Sequence, residues 1–170
     1  DLFGHKLSMP VMIGPTGLSG LFWPNGEQAT ARAAVAAGTG FCLSHGSVCT
    51  LEALAETQAH PRWMQVFLYR DRDFTQELVR RAEVADYDAI VLTIDNQVLG
   101  KRERDLANGF TIPPKFSPSQ YAAMLGKYKW FWRMRGEINR ITFGNYVRPG
   151  KKEDIKQLAA RMAYLLDPGL

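Results

Sequence analysis

The sequence has only two cysteines, Cys42 and Cys49, and three histidines, His5, His45 and His60, among its 170 residues. Two thiols are too few for a disulfide framework, and Cys42, set in an apolar run, reads as a small buried hydrophobe. No histidine stands at ligand spacing from a cysteine, so no metal site is expected. Long apolar runs are missing as well. No window approaches the ~20 residues of a membrane-spanning helix, and no charged-then-apolar leader opens the chain. The first residues, Asp1-Leu2-Phe3-Gly4, read like the middle of a longer text, and Asp167-Pro168-Gly169-Leu170 stops where a new element should begin.

Acidic residues are scarce in one place. From Gly126 to Lys152 there are eight basic residues against a single acid, Glu137, so this segment carries +7 although the whole chain carries only +4. A basic balance confined to one segment does not argue for nucleic-acid binding by the domain, and none is expected. At 46% hydrophobic content the chain can bury a single core.

What the sequence does contain is a repeated alternation of apolar runs and helical stretches. Pro10 to Gly14, Phe41 to Leu43, Trp63 to Leu68 and Ala89 to Ile94 read as four strands. The last is a β-branched run that suits a strand buried on both faces. Between them lie an alanine-rich helix from Glu27 to Ala37 stopped by Gly38, a helix from Leu51 to Ala59 capped by Thr50, and a helix ending at Ala85 capped by Asp73 or Thr75. Gly20 to Gly26 reads as loop. This order predicts right-handed βαβ crossovers and a parallel sheet. Beyond Phe110 the alternation stops, with a short helix expected from Ser117 to Leu125 and a final one from about Lys151 to Leu166.

Polar residues recur where these strands end: Thr16, Ser44, Gln65, Thr93 and Asp95. That edge of a parallel α/β sheet is where ligands bind, so the recurrence favours one shared pocket. Gln65 carries the most weight, because an amide inside an apolar strand needs partners. Asp95 closes its strand and feeds the charged run Lys101-Arg102-Glu103-Arg104-Asp105, where it serves either chemistry or a simple loop cap.

At these residues the sequence resembles the FMN-dependent 2-hydroxy-acid oxidising family, which includes glycolate oxidase, L-lactate dehydrogenase and mandelate dehydrogenase. The likeness rests on Leu2-Phe3-Gly4, Pro15-Thr16-Gly17-Leu18, Ala31-Arg32-Ala33-Ala34, Leu43-Ser44 with Ser47, Trp63-x-Gln65, and above all LTIDxxxLGxRExDxxNxF from Leu92 to Phe110. The resemblance implies an α/β fold of parallel (βα) units, the first half of a TIM barrel. Residues 1–170 would then be a partial domain, with 111–150 as a basic-aromatic insertion after strand 4. It implies FMN as cofactor, with Pro15, Thr16 and Gly17 presenting backbone to the ring and Ser44, Gln65 and Thr93 bonding its polar edge. Asp95 would hold and polarise the catalytic histidine, and Arg102 would pair with the carboxylate of a small 2-hydroxy acid. Where the family usually has Tyr this chain has Phe67, so a substrate-binding hydroxyl is missing. His45 falls where a small residue is usual and is read as a pocket-wall variant.

The resemblance further implies that the catalytic histidine and the phosphate-holding loops are absent, so the chain alone is expected to be inactive. The alternative is a non-catalytic flavin- or membrane-binding half-barrel. Residues 127–148, basic and aromatic together, suit an anionic membrane surface or an ordinary lid packed on the barrel. A cytoplasmic location, with peripheral attachment to the inner face of the membrane, and a homo-oligomer at full length complete the expectations.

Overall fold

Three apolar runs lie side by side as a parallel sheet in the computed structural model, which describes residues 1–94, 103–108, 125–138 and 141–147 with the single positions 118 and 122. In chain order the elements are α1 (Ser19–Phe22), α2 (Gly26–Ala36), β1 (Phe41–Leu43), α3 (Leu51–Ala55), β2 (Arg62–Phe67), α4 (Arg72–Val84), β3 (Ala89–Thr93), α5 (Glu103–Ala107) and α6 (Tyr128–Met134). Sheet order is β1-β2-β3, with Leu43 beside Met64, Gln65 beside Val91 and Phe67 beside Thr93.

The helices cover one face of this sheet. Leu43, Met64 and Val66 point to that face and are fully or almost fully buried. Opposite them α4 turns inward Phe74, Leu78 and Ala82, spaced one helical stripe apart. In α2 the buried residues Ala31 and Ala34 are small, so the helix lies close to the sheet. Each large side chain buried in this way contributes roughly 1.5–3 kcal/mol of transfer free energy. Alpha2 ends where Gly38 takes φ +72, a left-handed conformation that suits glycine.

Several sequence expectations need correction. Pro10 to Gly14 is not a full strand: only Ile13 bridges, in parallel, to Phe41. Its amide donates to the Gly40 carbonyl and its carbonyl accepts from Cys42, so the segment touches the sheet at one rung. Ser19–Phe22 forms a helical turn inside the expected loop, and Glu103–Ala107 does so in the charged run. Thr50 caps α3 by accepting from Ala53, as read, but α4 is capped by Asp71, whose carboxylate accepts from Phe74. Thr75 instead accepts from the Tyr69 amide. Beta3 is not buried on both faces. Ile90 and Leu92 share the face of Met64 and Val66 by register, yet they and Ile94 are exposed, because the described helices do not extend over this edge strand. The helix expected from Ser117 to Leu125 is described only at positions 118, 122 and 125, all helical, and the one from Lys151 to Leu166 lies outside the described residues.

At the N-terminal end of the strands, Asp88 gathers three donors. Its carboxylate accepts from the Arg62 amide at 2.7 Å, His60 Nδ1 at 3.1 Å and His5 Nε2 at 2.9 Å. Burial works against its charge, but these bonds win and hold its carboxyl below the usual range. The Arg62 guanidinium, itself buried, donates to the Ala85, Ala55 and Ala59 carbonyls and lies over the Tyr87 ring. These contacts tie the starts of β2 and β3 to the N-terminal segment.

Candidate functional site

Parallel pairing fixes which side chains share the face away from the helices. Residues beside one another in register, and residues two apart on one strand, point the same way. Gln65, Phe67, Val91 and Thr93 therefore share that face, and Ser44 follows directly on β1 at the same end. Gln65 is one turn of the pleat deeper than expected, inside β2 and not at its end.

Gln65 is buried and bonded at both ends. Its Oε1 lies 2.7 Å from His45 Nδ1 and also accepts from the His45 backbone amide at 3.4 Å, while its Nε2 donates to Thr93 Oγ1 at 2.9 Å. The backbone N–H has no choice of role, so the oxygen of the amide must face His45. His45 Nδ1 consequently carries a proton, and Thr93, having accepted from Gln65, is free to donate its own hydroxyl hydrogen. Ser44 Oγ accepts from the Gly46 amide at 3.2 Å, which likewise leaves its hydrogen to donate. Ser44, Gln65 and Thr93 thus present a row of donors suited to a ligand edge rich in acceptors.

His45 was read as a wall residue, and the structure shows it built into this network. Its ring stands edge-on to Phe67 at 4.4 Å between centroids, and to Tyr146 at 5.6 Å. Burial lowers its pKa from the ordinary histidine value, a shift only partly offset by the bond to Gln65, so the ring is neutral. Pro15, Thr16 and Gly17 form an exposed strip beside the row. The next amide, that of Leu18, donates to the Gly46 carbonyl at 3.0 Å, and a side chain at Gly17 would sit 3.4 Å from the same oxygen. Asp95 and Arg102 lie outside the described residues.

Two residues that sequence reasoning missed hold the site from below. Asn145, 1% exposed, accepts from the Leu51 amide at 2.8 Å and donates to Ser47 Oγ at 2.9 Å and the His45 carbonyl at 3.4 Å. Tyr146 shares a hydrogen bond of 2.8 Å with the buried Tyr69 hydroxyl, and desolvation pushes both phenols up. The backbone comes in very close here. A Cβ on Gly144 would fall 2.6 Å from the Val48 carbonyl oxygen, so only glycine fits. The available signal was Ile141 to Val147, seven uncharged residues inside the basic segment.

That segment is therefore divided. Residues 143–147 pack into the core, whereas α6 leaves Tyr128 and Trp132 largely exposed. Arg135 stacks on Trp132 and Arg133 on Trp23, each at 4.1 Å, and Trp130 Nε1 donates to the Leu21 carbonyl. Among the described residues no helix is long and apolar enough to cross a membrane, and no group of ligating side chains could hold a metal ion.

Comparison with known proteins gives a consistent picture. The family model for FMN-dependent dehydrogenases matches residues 1–170. Glycolate oxidase 1 of Zea mays is 43% identical over 127 residues, covering 74% of this chain and 34% of the relative; glycolate oxidase of Spinacia oleracea is 44% identical with the same coverage. The crystal structure of the monotopic membrane protein (S)-mandelate dehydrogenase superposes with a TM-score of 0.90 at 34% identity, over 100% of this chain and 45% of that one. The chain thus spans about a third of the length of the curated relatives it matches (34%).

Proposed function

The chain belongs to the FMN-dependent dehydrogenase family, and on that premise we propose that it forms the first half of a TIM barrel that oxidises a small 2-hydroxy acid to the 2-oxo acid. The observation that carries this reading is the donor row of Ser44, Gln65 and Thr93 on the sheet face away from the helices. FMN fits it: the polar edge of an isoalloxazine ring is mostly acceptors, and three side chains with free or shared hydrogens stand opposite. Bound FMN supplies the two-electron acceptor for the oxidation.

The chain's own residues then divide the remaining work. Pro15, Thr16 and Gly17 offer backbone to the ring. Gln65 and Thr93 orient its edge, and Phe67 with His45 walls the substrate side without a hydroxyl of its own. Asp95 stabilises the protonated form of the histidine that removes the substrate proton, and Arg102 takes the substrate carboxylate through its planar fork of donors. The three histidines present here are placed otherwise: His5 and His60 grip Asp88, and His45 holds Gln65. The 170-residue chain by itself should therefore not turn over substrate, whereas the full-length protein should.

The test is anaerobic. Full-length protein should retain FMN through desalting, and its yellow colour should bleach on adding glycolate, L-lactate or (S)-mandelate. Colourless protein, or flavin that none of the three acids reduces, overturns the reading.

Exposed aromatics on α6 favour a second activity, attachment to an anionic bilayer. Trp132 and Tyr128 are 72% and 66% exposed, Phe22 is 69% exposed, and arginines stack beside them. Such mixed rings and cations suit the headgroup level of a membrane. Changing Tyr128 and Trp132 together to serine should release the protein from sedimenting phosphatidylglycerol vesicles by roughly tenfold, about 1.4 kcal/mol. Unchanged pelleting would mean that α6 is only part of a lid.

A further inference from the structure

We propose that His45 is a positioning residue for the flavin site, one that sets the direction of the donor row by fixing the Gln65 amide. This inference rests on the flavin reading above. The geometry has two independent parts. His45 grips Gln65 Oε1 twice, through Nδ1 at 2.7 Å and through its backbone amide at 3.4 Å. Gln65 Nε2 in turn donates to Thr93 Oγ1 at 2.9 Å. Were the amide reversed, Thr93 would have to donate to Gln65, and its hydrogen would be lost to the ligand. The side-chain amide has no intrinsic preference between these two states, since its oxygen and nitrogen occupy nearly the same space. The His45 backbone N–H admits only the oxygen and so selects the direction, and the short bond from Nδ1, protonated in consequence, holds the amide in it.

The environment supports the same role. Packed edge-on against Phe67 and Tyr146, the ring has a fixed orientation. Asn145 donates to the His45 carbonyl and so holds its backbone as well. A neutral imidazole carries one proton, and Gln65 claims it at Nδ1. Nothing in this role needs His45 to touch the substrate or to change its charge.

The test uses substitutions in the full-length protein. Asparagine places an amide nitrogen where His45 Nδ1 now stands, whereas leucine has the same shape without a donor. His45→Asn should keep FMN affinity within about twofold and leave the visible band of bound FMN in place. His45→Leu should weaken affinity by about tenfold, as expected for roughly one hydrogen bond, and should shift that band, because the donors on the polar edge are rearranged. A packing role would affect the two nearly isosteric variants alike, and equal behaviour overturns the proposal. If His45→Leu does not fold, His45→Met against His45→Gln makes the same comparison with another pair matched in shape, one without a donor and one with. FMN absent from the unmodified protein overturns the flavin reading itself, while FMN held equally by all variants overturns only the role of His45.

Discussion

Replacing Gln65 by leucine should lower the FMN affinity of the full-length protein by about 100-fold, some 2.7 kcal/mol. Leucine fills much of the same volume, so the loss reports polarity and not packing. Three hydrogen bonds disappear at once, leaving His45 Nδ1–H and the His45 backbone amide without their acceptor and Thr93 Oγ1 without its donor. An unsatisfied buried group costs roughly 1–3 kcal/mol, and the direct bond to the ligand edge is lost besides. Gln65→Glu makes the sharper comparison. Its carboxylate still accepts from His45 but cannot donate to Thr93, so the Thr93 hydroxyl donates to the carboxylate instead. Two of the three donors in the row, at positions 65 and 93, become acceptors, and one carries a negative charge, while Ser44 is unchanged. Although closer to glutamine in shape, glutamate should bind FMN at least as poorly as leucine. Fluorescence quenching titrations with free FMN give both numbers. Affinity within threefold of the unmodified protein for either variant would mean that Gln65 is a structural amide only.

How much of this could be read beforehand differs from part to part, for physical reasons. The parallel sheet was legible because Phe41 to Leu43, Trp63 to Leu68 and Ala89 to Ile94 are short β-branched or aromatic runs at regular spacing, separated by amphipathic stretches. Gln65 was legible because a lone amide in such a run cannot be buried without partners, and the structure supplies two. Pro10 to Gly14 looked equally strand-like, yet apolar character cannot say how many rungs a segment will form, and only Ile13 forms one. Solvent cover was also illegible. Ile90 and Leu92 are as apolar as any core residue, but their burial depends on what packs outside them. His45 could be placed on the wall from position alone, whereas its grip on Gln65 required coordinates. Asn145 was hidden most completely. Its partners Ser47 and Leu51 lie 98 and 94 residues away, a separation at which local patterns carry no information.

That remoteness makes Asn145 the strongest stability prediction. The side chain caps the first turn of α3 through the Leu51 amide, one of the donors that a helix start leaves unpaired. It also holds the loop after β1 through Ser47 Oγ and the His45 carbonyl. Asn145→Ala leaves these buried groups unsatisfied and opens a small cavity, so it should cost about 3–4 kcal/mol and lower the urea midpoint by about 1–2 M. Asn145→Asp separates the two kinds of bond through pH. Protonated aspartic acid has one donor and one acceptor and can imitate asparagine. Ionised, it accepts from Leu51 but faces Ser47 Oγ and the His45 carbonyl with an acceptor and a buried charge. Burial raises the folded pKa of this carboxyl above its unfolded value near ~3.9. Its stabilising contribution is then fully present below the unfolded pKa and is lost as pH rises through the folded one. Relative to the unmodified protein, Asn145→Asp should be mildly destabilised near pH 4 and should fall to or below the alanine variant by pH 8. A difference that stays constant between those pH values would mean that residue 145 is reached by water and that the loop is held by the backbone bond from Gly144 to Ser47.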